Sequence, residues 1–334
     1  MNKNYGVFGM AVQATAGTAS SAPTVSFHAS ADSPGIDAST SSEPVRLSNG
    51  ARDTTVDRYI SGSESTAQFT TICDPKMLPL LLYGACGAIS SSGSAAPYTH
   101  SVTMGSALPL LTFFQQVGAS NAALQSLADC KVNNLSIQAS GTTPPSVQAT
   151  LAGCKAKWLA ATTWSGPAFD IDDGYFKTLG AEVLFSAASA SPATPPASVI
   201  LSSIGIEIAN NATALTGMGK TEPTRQVEGA ATVTVSIEGT TDSTDLYRLI
   251  KTGAAAGTEL ASAIVKGSVQ VTFPHTSESW DLVAKLLAVP WKIEAMNVGV
   301  EGGPFDLRLS TDGAIAVDGT SVQFLVENGV ASYI

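Results

Sequence analysis

Residues 59–87, YISGSESTAQFTTICDPKMLPLLLYGACG, read with gaps like residues 226–253, QVEGAATVTVSIEGTTDSTDLYRLIKTG. Each passes through a glycine turn, an alternating strand, a short capped helix and a closing glycine. The first does so at Gly62, Gln68 to Thr71, Leu78 to Leu82, and Gly84 or Gly87; the second at Gly229, Thr234 to Ile237, Leu246 to Ile250, and Gly253. Gly229 lies 167 positions after Gly62, half of the 334-residue chain. A second pair keeps the same order: Pro145 to Gly153 and Pro304 to Gly313 both start on proline, alternate, and end on glycine. The expectation is a mainly β chain of two tandem, related sandwich or barrel modules, residues 1–170 and 171–334. Each would carry a short flanking α-helix and a long loop or hairpin, and such repetition points to a ring or a filament.

Period-2 alternation recurs at Ser65–Thr71, Lys131–Ala139, Val147–Leu151, Val199–Ile208, Thr232–Ile237, Ser268–Phe273, Phe305–Ser310 and Ser321–Val326. These predict strands; Ile204, Ile206 and Ile208 place three isoleucines on one face. Short strands parted by Gly, Pro and Ser clusters predict a sandwich or barrel. Two helices interrupt them. Asp74 and Pro75 supply a cap and a first-position proline for Met77–Tyr83, and Gly84 or Gly87 stops the helix. Asp242 or Ser243 caps the second, which Gly253 ends. Leu78, Leu81 and Leu82, and in the second copy Leu246, Leu249 and Ile250, are the core-facing residues of these helices. A third helix is expected at Ser279–Leu287, between Pro274 and Pro290.

The long polar segment Ser30–Arg58 carries Asn49-Gly50 between Val45, Leu47 and Val56, which predicts an extended hairpin with a tight turn. It bears Arg46, Arg52, Asp53, Asp57 and Arg58. Such a segment is a surface loop or an arm that reaches a neighbouring subunit. Asn210–Gln226, with Lys220, Glu222 and Arg225, holds the matching place in the second half, and the proline-rich stretch Ser186–Ser198 is a module boundary or an internal loop.

Only 13% of residues are charged, against 44% hydrophobic and 7% aromatic. No apolar stretch approaches the roughly 18 residues of a membrane helix, so no membrane partner is expected. A surface of Ser, Thr, Ala and Gly packs against partner subunits at little desolvation cost. The net charge of −10 opposes a protein that grips phosphates. Such a surface can repel a passing polyanion within a Debye length of roughly 8 Å. Cys73, Cys86, Cys130 and Cys154 form no C-x-x-C pair and read as free buried thiols. The first 22 residues do not read as a signal peptide, which points to folding in a cytoplasm.

No reading of the sequence yields a catalytic site, a cofactor or a metal. Ala214 to Thr221 ends in Gly-Lys-Thr, but Ala214 stands where a phosphate-binding loop needs glycine, and a strand pattern follows instead of a helix. His28, His100 and His275 stand alone, Asp172-Asp173 before Gly174 reads as a turn, and no nucleophile elbow is present. Trp158, Trp164, Trp280 and Trp291 are not interleaved with basic residues, so no stacking platform for single strands emerges.

Several segments together resemble the major tail tube proteins of long-tailed bacteriophages: Ala14 to Ala19, Arg58 to Ser63 with Ala67 to Thr71, the helix up to Gly87, Pro97 to Val102, and Cys130 to Ile137. The resemblance covers most of the first half and the second more loosely. It implies a structural virion protein, assembled in the host cytoplasm, whose modules join edge to edge around a central channel through which DNA passes without specific binding. A two-module chain would need three copies per ring, giving pseudo-sixfold symmetry. Its partners would be further copies of itself and the tail terminator, distal tail and tape-measure proteins. The hairpin residues Arg46, Asn49, Gly50, Arg52, Asp53, Asp57 and Arg58 would make inter-ring contacts, with Lys220, Glu222 and Arg225 as the second-module counterpart. A surface-array or pilus-like protein is the alternative from another class, and an enzyme comes third.

Overall fold

The computed structural model describes residues 6–30, 32–46, 55–117, 123–160, 174–186, 199–241, 244–254, 256–296, 305–317 and 319–334. β1 (Gly6–Val12) and β2 (Val25–His28) are followed by a long hairpin of β3 (Gly35–Arg46) and β4 (Thr55–Ile72). Helix α1 (Leu78–Cys86) leads into the hairpin β5 (Gly87–Ser92) and β6 (Tyr98–Met104), then β7 (Leu111–Val117), β8 (Ala123–Ser140), β9 (Ser146–Gly153) and β10 (Lys155–Leu159). The remainder comprises β11 (Glu182–Ser186), β12 (Val199–Ala209), the short β13 (Thr213–Leu215) and β14 (Arg225–Val227), then β15 (Thr232–Thr241) and α2 (Asp245–Thr252). β16 (Lys266–Pro274), β17 (Asp281–Pro290), β18 (Lys292–Met296), β19 (Phe305–Ser310) and β20 (Gln323–Asn328) complete it.

All eight segments read as strands are strands. Strand pairing is antiparallel, and six of these strands join β3 and β18 in one eight-stranded run, β3-β4-β9-β8-β12-β15-β19-β18. Its first four strands and its last four share a connection pattern. In each, the first two strands are neighbours, a helix and a hairpin follow, and the chain returns through the fourth strand to the third. Thus β3, β4, α1, β5–β6, β8 and β9 take the places that β12, β15, α2, β16–β17, β18 and β19 take later. The segment pairs that resemble each other in sequence, 59–87 with 226–253 and 145–153 with 304–313, lie on corresponding elements.

The two halves are not separate bodies. β8 pairs β12 over Asn134–Ser140 and Ser203–Ala209, and β20, the last strand, inserts between β17 and β6 in a second sheet ordered β11-β16-β17-β20-β6-β5. β8 is shared. Its first part pairs β7 and β10, its later part β9 and β12, and the change falls near Asp129, at φ 52°. One contiguous apolar core fills the space between the sheets. In the first half it centres on Phe8, Phe27, Phe69 and Phe113, with Phe69 stacked on Phe113 at 5.5 Å and Phe27 tilted against Phe69 at 5.0 Å.

Helix α1 is buried almost all round, including Leu78, Leu81 and Leu82. It begins at Leu78, later than Asp74-Pro75 predicts. Asp74 still caps, but it caps the preceding turn: its Oδ1 accepts from Lys76 N at 2.7 Å and Met77 N at 2.9 Å. Gly87 ends the helix in the left-handed conformation that glycine adopts without strain. In α2, Leu246 and Ile250 are buried while Leu249 is partly so, and Gly253 closes it the same way. The helix expected at Ser279–Leu287 does not form. Asp281–Pro290 is strand β17, with Leu282, Ala284, Leu286 and Ala288 facing inward, because β16 and β20 on either side satisfy its backbone. The residues 170–171 boundary, the 187–198 part of the proline-rich stretch, Asp172-Asp173, and the proposed caps Asp242 and Ser243 lie outside the described residues.

Candidate assembly surfaces

The β3–β4 hairpin runs well past the body of the sheet. Its inner part is anchored: Ala67, Phe69 and Thr71 are buried, and β4 pairs β9 from Ser65 to Ile72. Beyond Gly62 no further strand lies beside it among the described residues, and Ala38–Glu43 and Thr55–Ser61 are exposed. This is an arm. At roughly 3.4 Å per residue its free part reaches on the order of 25 Å. It carries Val56, Tyr59 and Ile60 with about half of each side chain in solvent, an uncommon outlay of apolar surface for a two-stranded element. Tyr59 Oη donates to Glu43 Oε2 at 3.1 Å, tying the two strands together. Arg46, Asp57 and Arg58 are exposed on it, whereas Asn49, Gly50, Arg52 and Asp53 lie outside the described residues.

The second-half counterpart differs. β13 and β14 are three residues each, and their loop leans on the base of the arm, where Thr221 O accepts from Ser63 N at 2.7 Å and Ser63 Oγ at 3.2 Å. Glu222 pairs with Lys155 at 3.3 Å, while Lys220 and Arg225 are exposed and Met218 at the tip is fully so. The structure thus brings this loop against the arm's base and does not extend it as a second arm. The loop's Gly217–Thr221 segment runs into strand β14, so the Gly-Lys-Thr triplet does not open a helix.

Behind this loop the connection is pinned to the first half. Asn210 Nδ2 donates to Ala85 O and Val132 O, both at 2.9 Å, Gln226 Nε2 donates to Gly153 O at 2.9 Å, and Glu228 forms an ion pair with the buried Lys131. The Lys131 ammonium holds the Glu228 carboxyl below its ordinary range. A second pin joins the chain's end to the segment before α1. Buried Asn328 donates to Pro75 O at 2.6 Å and Tyr333 Oη at 2.9 Å, and Tyr333 Oη donates to Lys76 O.

The outer strands β3 and β18 each pair on one side only among the described residues. An unpaired edge is a template for another strand. The face of the eight-stranded run turned away from the core is polar, with Gln68, Gln148, Ser136 and Glu207 on β4, β9, β8 and β12, and Thr234 and Glu238 on β15. Between β8 and β19 this face holds a shallow groove of ≈ 470 Å³. Its carboxylates are partly engaged, Glu207 by Asn134 at 2.6 Å and Glu238 by Arg308 at 3.6 Å.

The histidines serve packing. His100 lies between Ser91 Oγ and Asn328 Oδ1, and His275 Nδ1 accepts from the backbone of Ser277 and Glu278. Among the described residues no three His, Cys, Asp or Glu side chains are grouped to hold a metal, and no helix is long and apolar enough to cross a membrane. The four cysteines are buried and unpaired, as the sequence predicts. The sequence located the arm but missed the open edge of β18 and the polar face, which depend on strand order. No curated protein matches the chain. Residues 4–304 match the model of one protein family, described as phage tail tube protein.

Proposed function

The chain belongs to the phage tail tube protein family, a structural component of the virion tail that self-assembles into a tube with other tail proteins, and on that premise we propose how it closes its rings. Three copies form each ring, with pseudo-sixfold symmetry, and residues 1–170 and 171–334 act as two related modules. The repeated strand order carries this reading. β8, the last strand of the first four, pairs antiparallel with β12, the first of the next four. β18 and β3 hold those same positions at the ends of the run, so β18 of one copy beside β3 of the next repeats the internal junction. The strand directions alternate correctly for that pairing, and both edges are open among the described residues.

Closed in this way, the polar face of the run lines the channel. Serine, threonine, glutamine and scattered carboxylates there offer DNA no cluster of cations, in keeping with the net charge of −10. DNA passes without specific binding. The arm, with Arg46, Asp57 and Arg58 on its described part, contacts the adjacent ring, and the Lys220–Arg225 loop braces its base. The tail terminator, distal tail and tape-measure proteins are the partners at the ends and in the channel.

Electron microscopy of purified protein, with symmetry analysis of end-on views, tests the ring. Three subunits with six similar lobes are expected; true sixfold rings of six chains would overturn the trimer. Deleting Val45 to Val56 should leave folded protein that does not stack, and tubes of normal length from that deletion would remove the arm's role.

A further inference from the structure

The first strands of the two four-stranded runs, β3 and β12, carry the same short motif, Gly35-Ile36-Asp37 and Gly205-Ile206-Glu207. Strand pairing gives the same correspondence independently. With Gly153 set against Gly313, the buried Val147 and Ala149 of β9 match the buried Leu307 and Leu309 of β19, and Leu151 matches Thr311. Leu151 pairs Ala67, while Thr311 N donates to Val235 O at 3.1 Å. Ala67 in turn lies opposite Ile36, and Val235 opposite Ile206. Ile36 is therefore to β3 what Ile206 is to β12. By the same steps Val147 pairs Ile137 of β8 and Leu307 pairs Met296 of β18, so Met296 stands in β18 where Ile137 stands in β8.

The two isoleucines differ in what meets their backbone. Asn210 N donates to Asn133 O at 2.8 Å across the β8–β12 junction. In an antiparallel ladder every second residue turns its N–H the same way, so Ile206, opposite Ile137, also turns its N–H toward β8. Ile36 N donates instead to a side chain, Gln115 Oε1 on β7, at 2.6 Å. That bond directs the Ile36 amide out of the edge of β3 and away from β4, the direction in which Ile206 faces β8. Ile206 is buried, whereas Ile36 is only partly so. One side-chain carbonyl stands at β3 in place of the strand that β8 supplies to β12.

We propose that β18 of the next copy displaces Gln115 from Ile36 and pairs β3 in the register of the internal junction, with Met296 opposite Ile36 and Ala295 opposite Asp37. The inference rests on the proposed ring closure and gives that junction its register and its guard. An edge whose amide is already satisfied is a poorer template for stray strands. The free chain holds one side-chain bond at this point, and the ring exchanges it for a backbone ladder that also covers Ile36.

The test uses full-length chain carrying Asp37→Cys with Ala295→Cys, assembled into tubes, oxidised with diamide and run on a non-reducing gel. Directly opposed residues hold their Cβ atoms about 4.5–5.5 Å apart, close to the span of a disulfide. The native thiols are buried and stay out of the reaction. Covalent multimers about tenfold above either single variant are expected, because pairing raises the local thiol concentration. Ser39→Cys with Ala295→Cys reports a slip of two residues. Links there in place of the first pair overturn the register and keep the β3–β18 junction, whereas no link from either pair in chains that still form tubes sinks the junction itself. Should Asp37→Cys assemble poorly, Ile36→Cys with Met296→Cys probes the adjacent row and is read the same way. The guard has its own readout. Gln115→Ala should lower the concentration for half-maximal assembly about three- to tenfold, since the free chain loses a bond that the ring does not use. An unchanged or raised concentration overturns the displacement, and Gln115→Leu, which keeps the bulk without the acceptor, gives the same reading if the alanine variant unfolds.

Discussion

Helices α1 and α2 occupy the same place in the two four-stranded runs, yet they are held by different means. In α1 the residues Leu78, Leu80, Leu81 and Leu82 are all buried, because β6 and β8 flank it and the Asn328–Tyr333 cluster fixes the turn that leads into it. Only Leu246 and Ile250 are buried in α2, whose remaining positions include Asp245, Arg248 and Lys251. An apolar helix enclosed on all sides draws its stability from packing; an amphipathic helix lying on one sheet draws less from it. The same topology therefore supports a rigid first half and a more lightly held cover on the second. The two connections show the same inequality in reverse, with a long arm in the first half and a short braced loop in the second.

Truncation should expose the largest difference. Leu81→Ala is expected to cost about 2–5 kcal/mol through the cavity it leaves, and Leu249→Ala under about 1 kcal/mol. Denaturant unfolding measures both, and equal losses would break the comparison. The helix ends sharpen it. A Cβ at Gly87, where φ is 95°, would clash with the Ala107 carbonyl oxygen, whereas at Gly253 the nearest atom is Val265 Cγ2 at 3.9 Å. Gly87→Ala should therefore cost about 3 kcal/mol or more, since backbone must move, and Gly253→Ala only the left-handed penalty of about 1–2 kcal/mol. Thermal unfolding of the two variants, side by side, gives the order.

A smaller effect comes from the pin between the halves. The Glu228 carboxyl is held low by Lys131, so its contribution is present above the ordinary carboxylate range and lost as pH falls through the folded value. Glu228→Gln should lower stability at neutral pH by about 1–3 kcal/mol. It should also flatten the acid limb, read as unfolding midpoints from pH 7 down to about pH 3. An unchanged acid limb would assign that limb to other carboxylates. The least perturbing probe uses the thiols, all four of which lie in the first half. Burial pushes Cys86 up to about 12 and Cys154 up to about 11, and raises Cys73 and Cys130 as well. Thiol reagents at pH 8 should leave folded protein unlabelled and modify all four after denaturation. Rapid labelling before α2 opens would reverse the proposed order of rigidity.

Much of this was legible from residue order. Alternation at 65–71, 131–139, 147–151 and 232–237 named strands correctly because one face of each is buried, and the closing glycines at 87 and 253 were legible because only glycine sits there without strain. Ser279–Leu287 misled for a physical reason: Leu282, Val283, Leu286 and Leu287 fit a helical spacing while Leu282, Ala284 and Leu286 also alternate, and pairing with β16 and β20 decided between them. The two strands of the arm were legible, with Arg46, Asp57 and Arg58 on them, but not the loop that braces it, since Ser63 and Thr221 meet across 158 positions.

The sequence by itself determined the β character, the two short helices and the buried thiols, because burial periodicity, turn chemistry and capping are local properties of the chain. Only the tertiary structure decided that β8 joins β12, that β20 closes the gap between β17 and β6, and that the loop at Thr221 braces the base of the arm. Those outcomes depend on which distant backbone edges satisfy one another's hydrogen bonds, and any alternating segment carries the same donors and acceptors.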